Sequence, residues 1–164
     1  MRLLPHILTL ALAVSACSPA FDWREVRPPD AGVQLLLPCK PTLQDRRSPA
    51  GLRMGLAHCE TAGAEFAFSW AELPDPNAAG PALAEMRSAL LHQLGGQASA
   101  PEPFVVAGMT PSAEAQTQRV SGAHPARLAV FTRGKRVYQL LAQGSKPIAD
   151  TVWTEFARSV RPVD

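Results

Sequence analysis

Apolar and polar positions along this chain fall into two rhythms, and each predicts an element. From Gly51 to Glu60, Leu52, Met54 and Leu56 alternate with Arg53, Gly55 and Ala57, the period of two that marks a strand. Ala62-Gly63 then makes a short turn into Glu65–Leu73, where Phe66, Phe68 and Trp70 share one face, so the two segments predict a hairpin. Upstream, Phe21–Arg27 and Gly32–Leu37 flank Pro28-Pro29-Asp30 and read as two strands around a turn. The polar, proline-rich stretch from Pro38 to Pro49 predicts a loop. Downstream, Phe104–Met109, Ala115–Ser121 and Ala126–Gln143 predict further strands, the last broken by Arg133-Gly134 into a hairpin. There Leu128 and Val130 oppose Phe131, and Val137, Gln139 and Leu141 alternate with Tyr138 and Leu140. Strands apolar on both faces predict a central position in the sheet.

Two segments carry the longer period. Leu83, Met86, Leu90, Leu91 and Leu94 recur at helical spacing between Pro81 and Gly95-Gly96, with proline near the start and glycine after the end as helix termini prefer. Ile148, Val152, Phe156 and Val160, widened by Trp153, give a second apolar stripe. Its expected start is Lys146-Pro147, with Asp150 in the first turn, where a carboxylate favours the helix dipole. Strands, a helix, more strands and a terminal helix make an α+β class, an antiparallel sheet packed against two helices.

The first residues follow neither rhythm. Met1-Arg2 leads into an apolar run from Leu3 to Val14 that ends in Val14-Ser15-Ala16-Cys17. A span needs about 20 apolar residues to cross the hydrocarbon, whereas this run is shorter and holds Pro5 and His6. A positive start, a short apolar stretch and small residues before a cleavage point predict a secretory signal. Val-Ser-Ala-Cys resembles the lipobox of bacterial lipoproteins. That resemblance implies a signal peptide over 1–16, acylation of Cys17 and a membrane-held protein of the cell envelope. Ser18, in place of Asp, implies sorting to the periplasmic face of the outer membrane. Residues 17–20 are then a tether of roughly 10 Å, and 21–164 one α+β domain of ordinary size.

Of the 164 residues, 16 are Lys or Arg and 14 Asp or Glu, a formal net charge of +2. The local basic clusters, Arg46-Arg47 and Arg133 to Arg136, read as a solvated loop and turn, and nucleic acid is not an expected partner. With Cys17 committed to lipid, Cys39 and Cys59 remain, and two thiols in an oxidising compartment predict a disulfide. A metal or redox site with His58 is the competing reading. The fourfold ligand set of zinc and the Cys-x-x-Cys spacing are both missing from the sequence.

Gly32 to Pro41 (GVQLLLPCKP), the Gly134 hairpin with Val137-Tyr138-Gln139-Leu140-Leu141-Ala142, and Ala149 to Val160 ending in Phe156-Ala157-Arg158-Ser159-Val160 together resemble the Mog1/PsbP-like family. The resemblance implies an α/β/α sandwich and a role in binding or assembly rather than catalysis. It carries no functional residue over to this chain.

An enzyme requires a nucleophile with its base, paired carboxylates or a metal cluster. The chain has no Gly-x-Ser-x-Gly, His-Glu-x-x-His, Ser-x-x-Lys or phosphate loop. His58, His92 and His124 are far apart in sequence, and Glu65, Glu72 and Glu85 read as surface positions. No catalytic, cofactor or metal residue is therefore assigned. The expected function is a non-enzymatic, membrane-anchored module that contacts an envelope protein partner. The alternative is a small-ligand binder or enzyme with a pocket between the sheet and the first helix, near Phe66, Phe68 and Trp70.

Overall fold

In a computed structural model, residues 20–163 are described; the signal, Cys17 and Ser18 lie outside them. The chain is α+β and dominated by antiparallel sheet. Eleven strands occur in the described residues: β1 (Arg24–Val26), β2 (Val33–Leu37), β3 (Thr42–Arg47), β4 (Arg53–Thr61), β5 (Ala64–Glu72), β6 (Gln97–Ala98), β7 (Glu102–Pro103), β8 (Gln116–Ser121), β9 (Ala126–Arg133), β10 (Arg136–Gly144) and β11 (Arg161–Pro162). Helix α1 (Ala79–Leu94) divides β5 from β6, and α2 (Asp150–Arg158) divides β10 from β11. The large sheet has the order β3-β4-β5-β10-β9-β8-β6, with β7 also on β8. A small sheet, β1-β2-β11, stands apart from it.

Side-chain alternation sorts the layers. One face of the large sheet presents Val120, Leu128, Val130 and Val137 to Leu83 and Leu90 of α1. The other presents Phe66, Phe68, Phe131, Tyr138 and Leu140 to Val33, Leu35 and Leu37 of β2 and to Trp153 and Phe156 of α2. The second layer is thus a small sheet with a helix beside it, a wider cover than α2 alone. Aromatic rings pack within and between the layers: Phe131 stacks on Tyr138 of the neighbouring strand at 4.6 Å, and Phe66 of the large sheet meets Phe156 of α2 edge-on at 5.6 Å, geometries that the ring quadrupole favours. The Tyr138 hydroxyl donates to the Ala31 carbonyl at 2.8 Å, and burial pushes its pKa up.

Helix ends follow their local chemistry. Asp75 accepts from the Asn77 N–H at 2.9 Å and opens a 3₁₀ turn (Pro76–Ala78) that leads into α1. Pro81 falls in the first turn of α1, where its missing N–H costs nothing. Gly95 ends the helix at φ 62° and donates to the Leu91 carbonyl at 3.2 Å. Ser159, just past α2, donates to the Phe156 carbonyl at 2.6 Å and accepts from the Leu36 N–H at 2.8 Å. One hydroxyl thereby holds the end of α2 on β2.

Three expected elements differ. Within the expected loop 38–49 lies β3, paired with β4 along its whole length. All of its residues are exposed, so no apolar alternation announces it. The expected strand 104–109 is a loop instead, whose Phe104 and Val106 pack into the main core. Gly108 turns it at φ 70° beneath Pro162, where a Cβ would come within 2.4 Å. Helix α2 starts at Asp150 rather than at Lys146-Pro147.

Candidate interaction surface

The long strands give the molecule two poles. β4 ends, β5 starts and β10 ends at one of them, where Thr61 Oγ1 donates to the carbonyl of Ala20 at 3.0 Å. The described chain therefore enters at this pole. Cys39, at the exit of β2, and Cys59 of β4 meet here with their sulfurs 2.06 Å and their Cα atoms 5.8 Å apart, which fits the expected disulfide. Arg127 lies under the same end, its side chain 12% exposed, over the Trp153 ring at 5.2 Å and 2.5 Å from Asp150 Oδ1. Desolvation pulls its pKa down, opposed by the hydrogen bond it donates to Asp150.

The opposite pole is built from the other ends of the same strands. β3 and β4 pair Arg47 with Arg53, β5 and β10 pair Glu72 with Arg136, and the β9–β10 hairpin pairs Arg136 with Arg133 around Gly134. Two basic clusters far apart in sequence, Arg46-Arg47 and Arg133 to Arg136, thus come to one end of one sheet. Arg46-Arg47 belongs to a strand, not a loop, because the hairpin with β4 extends it.

Glu72 is the hub. Its side chain is only 15% exposed and accepts from Lys135 Nζ at 2.6 Å, with Arg136 at 3.5 Å and Arg53 at 3.7 Å. The hydrogen bond from Lys135 holds its carboxyl below the usual glutamate range, against the opposing effect of burial, with help from Arg136 and Arg53. Arg53 also pairs with Asp30, whose carboxyl its hydrogen bond holds low. Arg133 reaches the Gly32 carbonyl at 3.4 Å. Beside this network, Arg46, Arg47, Arg53, Asp30, Asp45 and Met54 line a cleft of about 240 Å³ floored by Trp70. Cations outnumber carboxylates at this pole, and Arg46, Arg47 and Lys135 are exposed.

In the sequence Glu72 reads as a surface residue, and Arg53 and Asp30 carry no local sign of a shared site. Only the pairing of β5 with β10 brings Glu72 against Lys135 and Arg136, and nothing local signals that.

The remaining candidates do not converge. His58 lies in β4 with Nδ1 3.8 Å from Glu65, His92 in the last turn of α1 and His124 in the turn between β8 and β9. Among the described residues no group of His, Cys, Asp or Glu is placed to hold a metal ion, and no helix is long and apolar enough to cross a membrane. Phe66, Phe68 and Trp70 are core residues, 1%, 0% and 3% exposed. They point away from α1, since β5 puts Ala67, Ser69 and Ala71 on the helix side, so they do not line a pocket between sheet and first helix. Compared with known proteins, the chain matches no family model and no curated sequence.

Proposed function

We propose that this chain is a lipid-anchored lipoprotein of the cell envelope, held through Cys17, that works as a non-enzymatic binding module and meets an envelope protein through its basic pole. One observation carries the reading. The chain enters the domain at one end of the long strands, and the cations collect at the other. β10 alone runs nine residues between the poles, about 27 Å at a strand's rise per residue. With Cys17 only three positions before Ala20, anchoring there turns the Arg46, Arg47 and Arg133 end away from the bilayer. Three acyl chains of the lipobox type would make that anchoring effectively permanent, where one alone binds reversibly. Ser18 favours the outer membrane as its seat. The layering of α1, large sheet, and small sheet with α2 supports the Mog1/PsbP-like kinship, whose members bind or assemble.

The test has two arms. Labelled palmitate should enter the wild type and not Cys17→Ser, and the wild type should fractionate with membranes. In cells, crosslinking from the basic pole should capture a discrete partner band that Arg46→Glu/Arg47→Glu/Arg133→Glu loses while membrane localisation is kept. Equal label in both proteins removes the anchor from the proposal, and a partner band indifferent to charge reversal removes the pole.

A further inference from the structure

The large sheet treats its two edges differently. Beyond β8 the ladder is closed by β6 and β7, two-residue strands from the connection after α1. The second ends in Pro103, which has no N–H to offer a newcomer. β3, at the far edge, has no such cover. It pairs without interruption from Thr42 against His58 to Arg47 against Arg53, holds no proline, and is flanked by no strand on its outer side among the described residues. Its outward N–H and C=O groups stand in a row, the template on which a further strand forms.

The template is also stiff and selective. Cys39 and Cys59 clamp the chain just before β3 to the strand it pairs with. Leu43 is 45% exposed and offers an apolar anchor. Arg46 and Arg47 enter none of the ion pairs that bind Arg53, Lys135 and Arg136 to Glu72, and Arg47 donates to the Gly51 carbonyl at 3.1 Å, so among the described residues no carboxylate neutralises either charge. Charged residues on an edge ordinarily discourage pairing. These discourage strands of their own sign, a second copy of this positively charged pole included, and admit acidic ones.

Resting on the reading of the basic pole as the contact surface, we infer that β3 takes up an extended acidic segment of a partner protein as an added antiparallel strand. Main-chain hydrogen bonds hold it, and its carboxylates face Arg46 and Arg47. The probe is a fluorescein-labelled peptide of about ten residues alternating threonine and glutamate, long enough to cover a strand of ordinary length. It is titrated to millimolar concentration against the full-length detergent-purified protein. Saturable binding is expected, with slowed amide exchange confined to β3. Arg46→Glu/Arg47→Glu should weaken it by about tenfold or more, an effect of the order that fully engaged charge pairs give. The same peptide N-methylated at every amide keeps its charges but cannot form a ladder, and it should not bind. If the N-methylated peptide binds as well as the parent, the contact is charge alone, and the added strand is refuted while the basic-pole reading stands. Absence of saturable binding by the parent peptide also overturns the inference. So does a concentration-dependent dimer in which β3 is protected without peptide, since the occupant is then a second copy.

Discussion

Glu72 condenses the physical argument into one side chain. A carboxylate so little exposed is costly unless its charge is met, and three cations meet it here. Its pKa is depressed in the fold, so the unfolded chain binds the proton more readily. The resulting stability is present above the ordinary glutamate value of 4.5 and is lost as pH falls through the lower folded value. Glu72→Gln should accordingly lower the melting temperature at neutral pH and have progressively less effect as pH falls below 4.5 towards the lower folded value, where the wild-type group takes up its own proton. Melting curves of both proteins between pH 7 and pH 3 check this, and a parallel fall across that range would contradict it. The same residue shows where local reading ends. Glu72 is in the sequence a polar residue before a proline-rich turn, and its partners are Arg53 on the neighbouring strand and Lys135 and Arg136, more than sixty residues on.

At the scale of elements, strands buried on alternate positions are legible because the buried face repeats every second residue. Phe66, Phe68 and Trp70 of β5 and the doubly apolar β9 and β10 follow that rule, as do helix ends marked by Pro81 and Gly95. β3 is silent because an edge strand exposed on both faces has no apolar face to repeat. Residues 104–109 mislead for the converse reason: Phe104 and Val106 alternate, yet they cover the sheet rather than join it. Gly55 sits between these cases. In β4 it lies opposite Trp70, and a Cβ there would fall 2.3 Å from the indole Nε1. Gly55→Ala should therefore displace the indole and destabilise the protein by roughly 1–3 kcal/mol, the usual cost of overpacking. Chemical denaturation will measure it, and a loss within error of zero would mean that the indole moves freely.

For the whole molecule, the pair Cys39 and Cys59 links the exit of the small sheet to the large one and closes a loop of about twenty residues. Such a closure is worth about 3 kcal/mol through the unfolded chain. Cys39→Ala/Cys59→Ala should lose about that much stability while the basic pole, at the other end of the strands, keeps its ion pairs. Denaturation with and without reductant checks the first part, and the acid sensitivity attached to Glu72 checks the second. What the sequence determined by itself is what neighbours in the chain decide: the strand and helix periods, the turns at Gly63 and Gly134, the α+β class, and the expectation that Cys39 and Cys59 pair. Tertiary structure alone decided which strands lie side by side, that a small sheet shares the second layer with α2, that β3 is an edge without a further strand among the described residues, and that Arg46-Arg47 and the Arg133 hairpin share one end of the sheet, where Glu72 gathers Arg53, Lys135 and Arg136. The reason is physical. Periodicity records which face of an element is buried, whereas strand order and the meeting of distant charges depend on contacts between segments that no local pattern encodes.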